Sequence, residues 1–149
     1  MKKILFTLLF YFIFLIKSFA LIEVDITRGN LDPLPIAVSP LHVDVKSDNF
    51  KDLKVKELGE NISEIIEKNF KNTGLFNPLK KDAFVQKPDI AHLKPRFEDW
   101  RLIKAQALVT GKLLIKNEKL KVEFRLWDLT AAQEMTALAF TTTPSNWRR

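Results

Sequence analysis

Three long runs near the C-terminal end of this chain, parted by short polar turns, fix most of its architecture. Ala107 to Ile115 reads as one strand, Leu120 to Leu129 as a second and Glu134 to Thr142 as a third. The middle run alternates cleanly, with Leu120, Val122, Phe124 and Leu126 apolar against Lys121, Glu123 and Arg125. A period of two sends those two sets to opposite faces of a sheet. Lys116-Asn117-Glu118-Lys119 is a tight polar connection, and Thr130 to Gln133 turns again. Consecutive strands joined by such turns pair antiparallel, as a meander.

A helix is equally legible upstream. Leu58, Ile62, Ile65, Ile66, Asn69 and Phe70 recur at helical spacing, and all but Asn69 are apolar. Glu57, Glu60, Glu64, Glu67 and Lys68 take the other side. Asn72-Thr73-Gly74 ends it, with Gly74 where a left-handed residue closes a helix. Leu75 to Leu79 then packs back as a short extended piece. Pro35 to Val38 reads as a short buried strand stopped by Ser39-Pro40, its prolines limiting ladder donation. Ala83 to Val85 and Pro88 to Pro95 look irregular. Phe97 to Ile103 reads as a second, short helix with Trp100 turned to the core. The expected fold class is α+β, an α/β two-layer structure. A mixed sheet of about five strands, ending in the antiparallel meander, packs against two helices.

The N-terminus is of a different kind. Met1-Lys2-Lys3 is basic, and Ile4 to Ile16 is apolar except for Thr7. Lys17-Ser18-Phe19-Ala20 places small residues at Ser18 and Ala20. That is the layout of a secretory signal peptide. As a helix the apolar run would span only about 20 Å, short of a hydrocarbon core of about 30 Å. The expectation is cleavage between Ala20 and Leu21. Residues 1–20 are then the signal and residues 21–149 an exported domain with no stable membrane anchor. Lys2, Lys3 and Lys17 leave with the signal, so the formal charge falls from +6 to +3. A charge of that size, spread along the chain, argues against a nucleic-acid partner.

Catalytic and metal chemistry find no pattern to rest on. The chain has no cysteine, which removes disulfides and thiolates. His42 and His92 have no ligands at metal spacing and read as surface or loop residues. Glu98-Asp99 reads as a solvated helix start, and Trp127 as a half-exposed strand residue. Phe97, Trp100 and Phe124 could enclose a small-ligand or lipid pocket, but no convergent polar cluster accompanies them. No nucleophile, base, metal or cofactor site can be named, so the reading is non-enzymatic.

Leu21 to Thr27 stands out instead. Ile22, Val24 and Ile26 alternate with Glu23, Asp25 and Thr27 directly at the freed N-terminus. Such a strand can pair in its own sheet or add to a partner's edge. At the end of the chain, Thr143-Pro144-Ser145-Asn146 is a helix start whose body would lie beyond Arg149. The expectation is a fragment.

Several stretches, taken in order, resemble the TolB family. They are Leu21 to Gly29 with Pro33 to Val38, Lys71 to Leu79, Arg96 to Arg101, Ala105 to Gly111, Val122 to Asp128 and Thr141 to Arg149. The resemblance implies an N-terminal α/β domain that precedes a six-bladed β-propeller, so the chain is expected to be truncated before the propeller. It implies a periplasmic component of the Tol-Pal system, which supports outer-membrane integrity and cell division and is exploited in colicin import. Pal, an outer-membrane lipoprotein, and colicins dock mainly on the propeller. The part that contacts TolA maps onto Leu21 to about Pro33. The implied partner-binding residues are Leu21, Ile22, Glu23, Val24, Asp25, Ile26, Thr27 and Arg28, and the implied partner a TolA-like C-terminal domain.

Overall fold

The chain enters its sheet at β1 (Leu34–Val38) and returns to it at β2 (His42–Val45). A long helix, α1 (Leu53–Thr73), follows, then a short strand, β3 (Phe76–Pro78). A single 3-10 turn and the short helices α2 (Pro88–Ala91) and α3 (Phe97–Leu102) lead to the meander. That meander is β4 (Ala107–Lys116), β5 (Lys119–Asp128) and β6 (Gln133–Thr142). This is a computed structural model that describes residues 32–45, 53–116, 119–143 and 145–148. The expected signal peptide, residues 1–20, and the expected strand Leu21 to Thr27 lie outside the described residues.

The sheet has six strands and runs β3-β1-β4-β5-β6, with β2 also on β4. β1 and β2 share one flank of β4. β1 lies parallel to Ala107–Val109 and β2 parallel to Lys112–Ile115. β5 takes the other flank along its whole length, antiparallel, and β6 follows antiparallel on β5. The fold class is the expected α+β, a mixed sheet with helices and a C-terminal meander. The sixth strand is β2. Its four residues are too few to show a period between Pro40 and the polar cluster at Ser47.

α1 covers one face. Leu58 and Ile62 pack against Leu113, Ile115, Leu120 and Val122, and Ile66 and Phe70 pack over Ile36, Val38 and Val109. The even residues of β5 supply this face, as the alternation predicts. The helix stops at Gly74, whose φ of +72° needs no Cβ. Glu67 departs from the expected solvated side. Its carboxylate lies 3.4 Å from the Lys81 ammonium, and burial pushes its pKa up, with Lys81 partly offsetting that.

α3 and its approach cover the opposite face at the β1–β4–β5 end. Trp100 is only 1% exposed and packs with Ala37, Leu108 and Leu129. Its indole N–H donates to Gln86 Oε1 at 2.7 Å, and the same oxygen accepts the Arg96 backbone N–H at 3.0 Å. Trp127 corrects the sequence reading. It is 6% exposed, its N–H donates to Thr110 Oγ1 at 2.9 Å, and Phe97 meets it edge-on. The polar alternation of β5 predicted a wet face here, but α3 shelters its far end. Glu98 and Asp99 do form a solvated helix start, paired with Arg101 and Arg96.

Leu41 joins the layers. It is buried, and a Cβ on Gly59 would collide with its carbonyl oxygen, while one on Gly111 would sit 2.9 Å from its Cγ. Gly59 in mid-helix costs about 1 kcal/mol of propensity against alanine. Here it admits the close approach of α1 to the β1–β2 connection. Gly59→Ala is expected to lower the urea midpoint despite its better helix propensity, since overpacking costs about 1–3 kcal/mol. Asn61→Ala, on the exposed side of the same helix, is expected not to lower it. Urea denaturation followed by tryptophan fluorescence checks this, and a raised midpoint for Gly59→Ala contradicts the close packing.

Candidate interaction surface

In the strand order, β3 and β6 are the two margins. They are built differently. β3 has three residues and ends on Pro78. β6 has ten residues, nine of them exposed, and Glu134 is its only charged one. Its backbone ladder is paired on the β5 side only among the described strands. Leu138 and Phe140 are each 55% exposed, on the face that α1 covers further in. An apolar groove of about 420 Å³ lies between α1 and this margin. Ile62, Ile65, Phe124, Phe140 and Trp147 line it, and Arg148 stands among them. Trp147 is half-buried and packs on the α1 core, so the turn after β6 brings the chain back over this groove.

The other face carries a histidine pair. His42 on β2 and His92 at the C-terminus of α2 stack with ring centroids 4.2 Å apart and planes within 5°. His92 Nδ1 lies 3.0 Å from the Pro88 carbonyl, an acceptor, so Nδ1 carries the proton. A small pocket of about 130 Å³ adjoins, lined by His92, Lys112, Glu123 and Arg125. Lys112 pairs with Asp44 at 3.2 Å. Sequence reading placed these histidines singly on surface or loop. Their meeting depends on α2 lying against β2, fifty residues apart in the chain, which no local pattern encodes.

Burial, and then the neighbouring His92, hold the His42 pKa below its ordinary value of 6.5; Lys112 acts the same way and Asp44 and Asp89 oppose it. A base with a depressed folded pKa takes up fewer protons folded than unfolded. Its contribution is therefore intact above 6.5 and is lost as the pH falls below that value. The expected outcome is a lower urea midpoint at about pH 5.5 than at about pH 7.5, with a smaller difference in His42→Phe, which keeps the stacked ring. Equal pH dependence in the two proteins excludes His42 as its source.

Of the other expected site residues, Leu21 to Arg28 and the Ala20–Leu21 bond lie outside the described residues. The aromatic pocket is corrected. Phe97 and Trp100 fill the core on one face of the sheet, and Phe124 stands on the other beside Phe140. The sheet separates them, so they enclose no common cavity. Among the described residues no three histidine, aspartate or glutamate side chains gather as a metal site would need. No described helix is long and apolar enough to cross a membrane.

A long margin paired on one side only among the described strands, with an apolar groove beside it, is the kind of surface to which another polypeptide can add. Comparison with known proteins makes the class specific. The family model of the TolB amino-terminal domain matches residues 22–135, and the chain belongs to that family. The Tol-Pal system protein TolB of Pelagibacter ubique (strain HTCC1062) is 69% identical over 136 residues. That alignment covers 90% of this chain and 30% of the relative, so the chain spans about a third of that relative's length. Among solved structures, TolB from Acinetobacter baumannii matches with a TM-score of 0.55 at 17% identity, over 76% of this chain and 24% of that one. The LpoB C-terminal domain from Escherichia coli matches at 0.54 and 10% identity, over 77% of this chain and 86% of that one. At such identities these two matches speak for the fold alone.

Proposed function

We propose that this chain is a non-enzymatic periplasmic adaptor of the Tol-Pal cell-envelope system, serving outer-membrane integrity and cell division. Its N-terminal segment Leu21–Arg28 binds a TolA-like C-terminal domain. One observation carries the reading: the family match begins at Ile22, inside the proposed binding segment and just past the expected cleavage point. The name of the 69% identical relative supports the system. Docking of Pal and colicins, which the resemblance places on the propeller, is no part of the proposal.

The binding mode follows from the alternation of the segment. Backbone groups of Leu21 to Thr27 add a strand to the partner's edge, and Ile22, Val24 and Ile26 fill alternate pockets. Glu23 and Asp25 face away. Calorimetric titration with a TolA-like C-terminal domain is expected to show binding by residues 21–149 and none by a chain starting at Leu34. Val24→Asp is expected to abolish the heat while leaving the circular dichroism spectrum unchanged. Normal binding by Val24→Asp removes the strand-addition mechanism, and no binding by residues 21–149 removes the adaptor reading. Protein recovered from the periplasm is expected to begin at Leu21.

A further inference from the structure

The β6 margin lacks the devices that keep strand edges from pairing. Short length, prolines, lysines and inward charges normally blunt an edge. β3 has the first two. β6 has no proline, no lysine and a single charge at its second residue. The register shift at Leu126/Trp127 distorts only its first residues and leaves Thr136 to Thr142 in regular pairing. Among the described strands, only β5 pairs with it.

Charge selects the partner. Asp128 and Glu134 stand at one end of the β5–β6 ribbon, and Lys119, Lys121 and Arg148 at the other. Part of each set is engaged within the chain. Arg125 pairs with Glu134 at 3.7 Å and Glu123 with Lys121 at 2.7 Å, which leaves Asp128 to mark the acidic end and Lys119 and Arg148 the basic one; Arg101, near the acidic end, holds Glu98 at 2.8 Å and the Leu129 carbonyl at 2.6 Å. A parallel neighbour of the same sequence would set like ends together. An antiparallel one sets the acidic end of each ribbon beside the basic end of the other.

We propose that β6 pairs antiparallel with β6 of a second copy of this chain, about a two-fold axis normal to the sheet. Such a contact is isologous, each copy giving and receiving the same bonds. It makes one sheet continuous through both copies and keeps both α1 helices on the same face. Facing residues must share a face, so the axis passes through a residue. With the axis at Leu138, Phe140 lies beside Thr136 of the second copy and Thr142 beside Glu134. The apolar side chains of the two margins then meet on the α1 face, where cross-strand pairs add to the ladder. The groove stays open, because the contact uses the edge and not the space under α1.

The chain has no cysteine, which makes a single-cysteine scan clean. Glu134→Cys, Thr136→Cys, Leu138→Cys, Phe140→Cys and Thr142→Cys are made one at a time in the full chain and oxidised. A disulfide needs Cα atoms within about 7 Å. Two residues from the axis, a position and its own copy are already about 14 Å apart. Disulfide-linked dimer is therefore expected at one interior position, between Thr136 and Phe140. It falls to background at Glu134 and Thr142. Association through the apolar residues near the N-terminus gives no such profile. A flat profile, a peak at either end, or no dimer at any position overturns the proposal. Unchanged circular dichroism for each variant keeps a negative result meaningful. The scan does not involve Leu21–Arg28, so its failure leaves the adaptor reading untouched.

Discussion

Everything in this fold hangs on β4. Among the described strands it alone touches three others, with β1 and β2 end to end on one flank and β5 along the other. Alternate residues serve alternate faces. Val109, Leu113 and Ile115 meet the α1 side, and Leu108 and Thr110 meet the tryptophan side. Burial on both faces over Ala107–Gly111 explains why that half of the strand lacks the polar alternation of β5. β5 keeps its alternation because only part of its second face is sheltered. The same logic makes Ile36, Ala37 and Val38 wholly buried in β1.

Periodicity therefore made most of the fold legible. The α1 stripe, its Gly74 stop, the short buried β1 and all three meander strands could be read locally, since each follows from spacing and turn chemistry. Elements that depend on what packs above them could not. Trp127 sits in a run whose alternation marks it as wet, and only the distant α3 makes it dry. β2 is too short for a period, and its place was set by Leu41 wedged between Gly59 and Gly111. Those two glycines lie fifty residues apart and carry no local sign of a shared contact.

The candidate surface was less legible still, for a related reason. Glu134 to Thr142 announced a strand, but not that it would stand at the margin. Position in a sheet is a property of pairing, and pairing is nonlocal. The clue was compositional. A central strand with one covered face shows inward apolar and outward polar residues, as β5 does. In β6, alanines and threonines share the strand with Leu138 and Phe140, and neither face is filled. The histidine stack has no such clue at all.

The ladder also bears on the segment before β1. Both edges of β1 are taken, by β3 on one side and β4 on the other, and Leu34 N–H is bonded to the Leu75 carbonyl at 2.9 Å. Asp32 and Pro33, which lead into it, are exposed. β1 is thus an interior strand of the sheet, with β3 beside its first half and β4 beside its second. Backbone groups in an extended segment still require partners wherever apolar side chains take them out of water. Inside the sheet, β3 and β4 meet that requirement for β1.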